Sequence, residues 1–317
     1  MSSLLTRQNI GRLLLLWAAY KTARVLLPAK VKSFDGKTVL ITGAASGLGR
    51  ALAVLLAERK NVAAMILWDI QAEQLEKTVQ MIKERNANVR IFTQIVNLAN
   101  REQIYTSADL CITSLLNNQS PDVIVNNAGI ISGGCELLKT DDERIELEMK
   151  INTMSHIWIT KAFLPKMIER GTGHFLNVAS MAAYVSAPDM ISYAVSKKGA
   201  KAFAEGLSAE LKQQGHRGIK VSLLCPSHID TPLFKGFNHA GNMTMSPEYV
   251  ASHIIQAIEC ETELVCLPRF SPIFVLIIGL NEFWGSLNLP NPDGSPMKKW
   301  QPQQADRVFA SIQKSTL

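Results

Sequence analysis

The chain of 317 residues is 47% hydrophobic and 19% charged, an ordinary globular composition and long enough to bury a substantial core without disulfide staples. Its five cysteines, at positions 111, 135, 225, 260 and 266, are odd in number and never spaced Cys-x-x-Cys, which argues for reduced thiols and against a disulfide framework or a zinc site. The net charge of +6 resides in residues 1–37, which hold seven basic side chains against the single acid Asp35; the body is formally neutral, which speaks against a nucleic-acid partner.

Residues 1–32 read as a basic and apolar arm. Its longest uncharged run, 13–20, has eight residues, whereas a lipid-spanning helix needs about 20. A convincing small-x-small cleavage site is lacking, which disfavours a signal peptide. The reading preferred is that 9–27 lies in or partly enters a bilayer. Arg12, Lys21 and Arg24 would then snorkel to phosphates, with Trp17 and Tyr20 at the interface. Basic residues are more numerous after the apolar run than before it, which would keep the body on the cytosolic side. The alternative is a terminal helix packed on the body.

From residue 38, short apolar runs alternate with longer segments of helical period. The runs are 38–42, 63–68, 89–96, 123–126, 174–179, 220–224 and 264–267. Helices are expected near 47–60, 71–85, 100–117, 142–169, 191–214 and 247–260. Strands separated by helices imply right-handed crossovers. The fold class is therefore α/β: one doubly wound, Rossmann-like parallel sheet of about seven strands, covered by helices on both faces, over residues 33–268. Ligands in such sheets sit beyond the carboxyl ends of the strands.

The motifs fall at those strand ends. The first strand runs into Thr42-Gly43-Ala-Ala-Ser46-Gly47-Leu48-Gly49 and then a helix, a geometry that brings backbone and helix N-terminus against a pyrophosphate. Twenty residues beyond Gly49 the second strand ends in Asp69. An acid there accepts from a ribose diol and repels a 2′-phosphate, and Ala44, Ala45 and Ser46 offer no base to neutralise one. NAD is favoured, with NADP not excluded. Asp69 can equally cap the helix that follows. Thr140 with Glu143 has the spacing of a capping box. Further on, Tyr193-Ala-Val-Ser-Lys197 places a phenol and an ammonium on one helix face, with Ser180 thirteen residues upstream. That trio suggests proton transfer beside a bound nicotinamide. On its own a Tyr-x-x-x-Lys spacing is mostly structural. His156, His174 and His228 have no partner pattern and read as structural or cavity-lining. No His-Glu-x-x-His is present, so no metal is expected.

In this order the loop 42–49, Asn126-Asn-Ala-Gly129, Asn152, Ser180, Tyr193-x-x-x-Lys197 and Cys225-Pro226 leading to Thr231 resemble the short-chain dehydrogenase/reductase family over roughly 38–267. The resemblance implies an NAD(P)-dependent oxidoreductase in which Tyr193 is the general acid or base, eased by Lys197. Ser180 would hold the substrate oxygen, and Asn152 would support a water linking Lys197 to solvent. The cofactor would touch Gly43, Ser46, Gly47, Leu48, Gly49, Asp69, Asn97, Leu98, Asn126, Ala128, Gly129, Tyr193, Lys197, Pro226, Ile229 and Thr231. Two departures stand out: Asn97 occupies a position often acidic, and Pro226-Ser227 replaces Pro-Gly. A homodimer is also implied.

Residues 269–317 begin with the apolar stretch 270–285, readable as a core helix, a lid or a lipid contact, and end in a polar tail. Segment 232–246, with Phe234, Phe237, Met243 and Met245, is placed to be an adaptable apolar lid. Trp68-Asp69-Ile70, Lys161-Ala-Phe-Leu-Pro165 and the arm are similar to the membrane-associated branch of retinol and 17-beta-hydroxysteroid dehydrogenases. That branch implies a lipophilic alcohol as substrate and the endoplasmic reticulum membrane or lipid-droplet surface as location. The alternatives are an NADPH-dependent reductase of a keto-sphingoid or ketoacyl lipid, and a non-catalytic membrane or lipid-droplet scaffold.

Overall fold

The computed structural model describes residues 31–131, 136–186, 188–234 and 244–268. The arm before residue 31, the stretch 270–285 and most of the lid segment 232–246 lie outside the described residues. Among those described, no helix is long and apolar enough to cross a membrane.

Seven strands form one parallel sheet: β1 (Thr38–Thr42), β2 (Ala64–Asp69), β3 (Arg90–Ile95), β4 (Val123–Asn126), β5 (Gly173–Val178), β6 (Ile219–Pro226) and β7 (Leu264–Leu267). Their order is β3-β2-β1-β4-β5-β6-β7, and every neighbouring pair is parallel. The helices are α1 (Gly47–Arg59), α2 (Ala72–Arg85), α3 (Arg101–Leu110), α4 (Asp142–Met149), α5 (Ser155–Arg170), α6 (Ile191–Gln213) and α7 (Pro247–Glu259).

Strands sandwiched between helices bury both faces, so they read as continuous apolar runs. Every residue of β2, Ala-Met-Ile-Leu-Trp-Asp, is buried. One face of the sheet is sealed by α1, α2 and α7 through residues such as Leu52, Leu56, Leu75, Ile82 and Ile254. The other is sealed by α3, α5 and α6 through Ile104, Phe163, Ala200 and Leu207, with Trp68 and Phe163 ring centres 5.9 Å apart. Local chemistry sets the helix ends. Ser246 caps α7 by accepting from Tyr249 N at 3.1 Å, with Pro247 at the first helical position, where its missing N–H costs nothing. Gly171 stops α5 at φ 73°, a left-handed conformation that favours glycine.

Two details depart from the sequence reading. The cap of α4 falls on Asp141, one residue after Thr140. The helical segment expected over 142–169 is not continuous α-helix: Lys150–Met154 form a π turn between α4 and α5, and a similar turn at Cys111–Leu115 follows α3. The first of these carries Asn152.

Candidate active site

The chain reverses direction between β1 and β4, which lie side by side but lead away to opposite halves of the sheet. Beyond their carboxyl ends lies a cleft, where open α/β sheets bind their ligands. Its floor is the turn from β1 into α1. Gly43 takes φ 67° and Gly47 φ 49°. A β-carbon at Gly43 would stand 2.9 Å from Ala128 Cα. Arg50 N is the first α1 amide bonded back into the turn, to Ser46 O, so the amides of residues 47–49 have no intrahelical acceptor. Gly43, Ser46, Gly47 and Leu48 line the cleft. Gly49 does not. Its α-carbon packs against the turn, and an added methyl would fall 2.0 Å from Gly43 O.

Asp69, at the end of β2, lines the cleft and fixes the turn. Its Oδ2 accepts from Ala45 N at 2.9 Å and its Oδ1 from Gln71 N at 3.0 Å. The cap of α2 is Gln71, so Asp69 braces the approach to the helix. Arg50 donates to Ala45 O and, through Nε, to Thr78 Oγ1 at 3.1 Å; that hydroxyl donates to Ala44 O at 3.0 Å. The turn is therefore held from both sides. Asn97 and Leu98 line the cleft after β3, Asn97 Oδ1 accepting from Ala99 N at 3.0 Å.

At the end of β4 the motif divides. Asn126 is fully buried and donates to Asn177 Oδ1 of β5 at 2.9 Å; it does not reach the cleft. Its neighbour Asn127 does, with Ala128 and Gly129. Asn127 Nδ2 donates to Thr42 O at 2.9 Å, tying this loop to the first. Asn126 and Asn127 look equivalent in sequence. Only the last register pair, Asn126 with Asn177, shows that the first is still in the sheet.

The trio Ser180, Tyr193 and Lys197 comes together on the far wall. Ser180 caps the short turn Met181–Ala183, its Oγ accepting from Ala182 N at 3.1 Å, and it favours the ionised form of the Tyr193 hydroxyl. Lys197 Nζ donates to Val178 O at 3.1 Å and lies 5.8 Å from the centre of the Tyr193 ring. Burial pushes the Tyr193 phenol up to about 12; Ser180 pulls it down and the Glu148 carboxylate adds to the rise. Burial also brings Lys197 down to about 8, against the opposing effects of Cys225 and Glu148. The protein alone thus disfavours the phenolate that Lys197 was expected to ease, burial being the largest cause.

Asn152 is fully buried and does not line the cleft. Its amide clamps the backbone of Ile130, accepting from N and donating to O, each at 2.8 Å. It also donates to Ser196 Oγ at 2.9 Å. Pro226, Ile229 and Thr231 line the opposite rim. Thr231 sits against Gly47, where a β-carbon would be 3.2 Å from its Cγ2. Ser227 also faces the cleft. The apolar lining residues Ile130, Ile151, Val178, Ala179 and Leu233 were missed by the sequence reading, though each lies within a few residues of a motif. His174 is structural, its Nε2 2.8 Å from Ser222 Oγ.

A ligand with a pyrophosphate fits this cradle, since glycine faces it at Gly43 and Gly47 and the first amides of α1, beside it, have no intrahelical acceptor. Residues 37–242 match the family described as short chain dehydrogenase. The chain belongs to the short-chain dehydrogenase family. It is 34% identical over 297 residues to Retinol dehydrogenase 10 of Homo sapiens, covering 84% of this chain and 85% of that one. It is 35% identical over 256 residues to Estradiol 17-beta-dehydrogenase 11 of Homo sapiens, covering 81% and 83%. Among solved structures it resembles a short chain dehydrogenase/reductase from Burkholderia phymatum in complex with NAD, with a TM-score of 0.71 at 22% identity, covering 85% of this chain and 99% of that one. As a family member, the protein is an NAD(P)-dependent oxidoreductase acting on alcohol and carbonyl groups.

Proposed function

We propose that this dehydrogenase oxidises a lipophilic alcohol of the retinol or hydroxysteroid class, using NAD, at a membrane or lipid-droplet surface. The observation that carries the reading is that Ser180, Tyr193 and Lys197 line one cleft together with apolar residues such as Ile130, Ile151 and Leu233. The printed names of the two human relatives support the substrate class. Asp69, with Ala44 and Ala45 beside it, supports NAD over NADP.

Each residue has a role that its position permits. Gly43, Ser46, Gly47 and Leu48 would hold the pyrophosphate, Asp69 the adenosine ribose, and Lys197 the nicotinamide ribose. The bound nicotinamide supplies the hydride acceptor or donor and, when oxidised, a positive charge that favours the phenolate. Tyr193 Oη takes the alcohol proton in oxidation and returns it in reduction. Ser180 Oγ donates to the substrate oxygen and stabilises charge there. Asn152 is a positioning residue: it fixes Ile130 in the lining and ties it through Ser196 to the Tyr193 carbonyl, to which Ser196 Oγ donates at 2.8 Å.

The arm 1–32 is proposed to bring the cleft to membrane-dissolved substrate, and the chain to act as a homodimer. Purified protein is screened with NAD and NADP against retinoids, hydroxysteroids and long-chain alcohols. NADH formation with a retinoid or steroid supports the proposal. Activity confined to NADPH and a keto-lipid overturns it in favour of a keto-lipid reductase.

A further inference from the structure

Behind the Ser180 turn lies a thiol pair that the reaction does not use. Cys225 of β6 and Cys266 of β7 are register partners in adjacent parallel strands, and both enter the same apolar layer. Neighbouring strands run about 4.8 Å apart, inside the range of Cα separations that a disulfide spans. Each sulfur acts electrostatically on the other, and the Tyr184 hydroxyl on Cys266. Lys201 completes the cluster, its Nζ 5.0 Å from the centre of the Tyr184 ring and its charge acting on both sulfurs.

The two thiols differ. Cys225 is sealed at 0% exposure, whereas Cys266 keeps 7%. Cys266 and burial push the Cys225 thiol up. Cys225, then Tyr184 and Lys201, hold Cys266 below the ordinary thiol value against the opposing effect of burial. A sulfur that ionises beside one that stays protonated is the pairing that an attacking and a resolving thiol require.

We propose that Cys225 and Cys266 form a thiol-oxidation site for hydrogen peroxide, closing to a disulfide across β6 and β7. Cys266 sulfur attacks one peroxide oxygen and the O–O bond breaks. The departing hydroxide takes the thiol proton and leaves as water, and Cys266 is a sulfenic acid. Cys225 sulfur then displaces the sulfenic hydroxyl, which leaves with the Cys225 proton as a second water. Two thiols lose two electrons and the peroxide gains them. The chemistry is independent of which alcohol the cleft accepts.

Closure acts on the cleft through the next residues. Pro226 follows Cys225, its carbonyl accepts from Ser180 Oγ at 3.5 Å, and Ser227 N donates to Leu267 O at 2.8 Å. Pro226 and Ser227 both face the cleft. A bond formed one residue earlier resets the strand separation at that junction and shifts the serine behind it.

The test uses the full chain, reduced, exposed to hydrogen peroxide, then alkylated and digested for mass spectrometry. A linked Cys225–Cys266 peptide is expected, two hydrogens lighter than the free pair and released by dithiothreitol. In Cys225→Ser, Cys266 stops at the sulfenic acid and is captured by dimedone. NADH formation by the parent falls by about tenfold as the linked fraction rises, as expected when a positioned group moves, and returns on reduction. Recovery of both parent cysteines alkylated overturns the proposal, whether or not the variant folds. So does a linked peptide that leaves the rate unchanged.

Discussion

At Tyr193 two opposing effects meet, and their sizes decide the chemistry. Burial of a phenol that is only 3% exposed raises it, Ser180 lowers it, and burial prevails, which keeps the tyrosine neutral at physiological pH. Asp69 carries a different double duty. Its two oxygens hold Ala45 N and Gln71 N, so its loss strands two backbone donors, at about 1–3 kcal/mol for each that stays buried and unpaired. Asp69→Ala is therefore expected to lower the melting temperature and also to reduce kcat/KM for NAD relative to NADP. Asp69→Asn keeps one acceptor oxygen, and melting curves should place it between the parent and the alanine variant. An unchanged NAD-to-NADP ratio in both would show that the carboxylate is only a brace.

Among the elements, glycines in α1 and α6 make opposite predictions. A methyl at Gly49 would sit 2.0 Å from Gly43 O, where only backbone movement could relieve it. Gly49→Ala is expected to cost more than about 3 kcal/mol and to abolish cofactor binding, read by denaturant unfolding and cofactor titration. Gly206 is exposed within α6 and nothing lies within 4 Å of its added methyl. Gly206→Ala should stabilise by about 0.5–1 kcal/mol without changing turnover. The elements themselves were legible from period and punctuation. β1, β4 and β7 match the runs read from sequence, because buried parallel strands are short apolar runs ended by glycine, asparagine or proline. Seeing the π turn at Lys150–Met154 was beyond that reading, since nothing in Lys-Ile-Asn-Thr-Met breaks helical period. Asn126 was misplaced for a related reason. Pattern locates a strand end to within a residue or two, and one residue decides which face a side chain takes. The trio Ser180, Tyr193 and Lys197 was legible as a group because its members sit on one helix and at one strand end. The apolar lining was not, because it is assembled from several loops.

Over the whole molecule, the balance of buried polar groups governs stability against pH. His156 is 1% exposed, both ring nitrogens lack hydrogen-bond partners, and burial, with Lys197 adding to it, holds it down to about 3 from an ordinary 6.5. Between those values the unfolded chain binds a proton that the folded chain refuses. Stability from this group is complete above 6.5 and is lost as pH falls toward 3, by up to about 1.4 kcal/mol per pH unit. His156→Leu should keep or raise the melting temperature at pH 7 and flatten its decline between pH 6.5 and 4. An equally steep decline in the variant would remove His156 as the cause. The central claim, that one phenol moves the alcohol proton in this cleft, is tested most directly by Tyr193→Phe. With an accepted alcohol and saturating NAD, NADH formation is expected to fall by at least about a hundredfold while NAD binding and melting temperature stay within the range of the parent. Turnover at the parent rate would contradict the account.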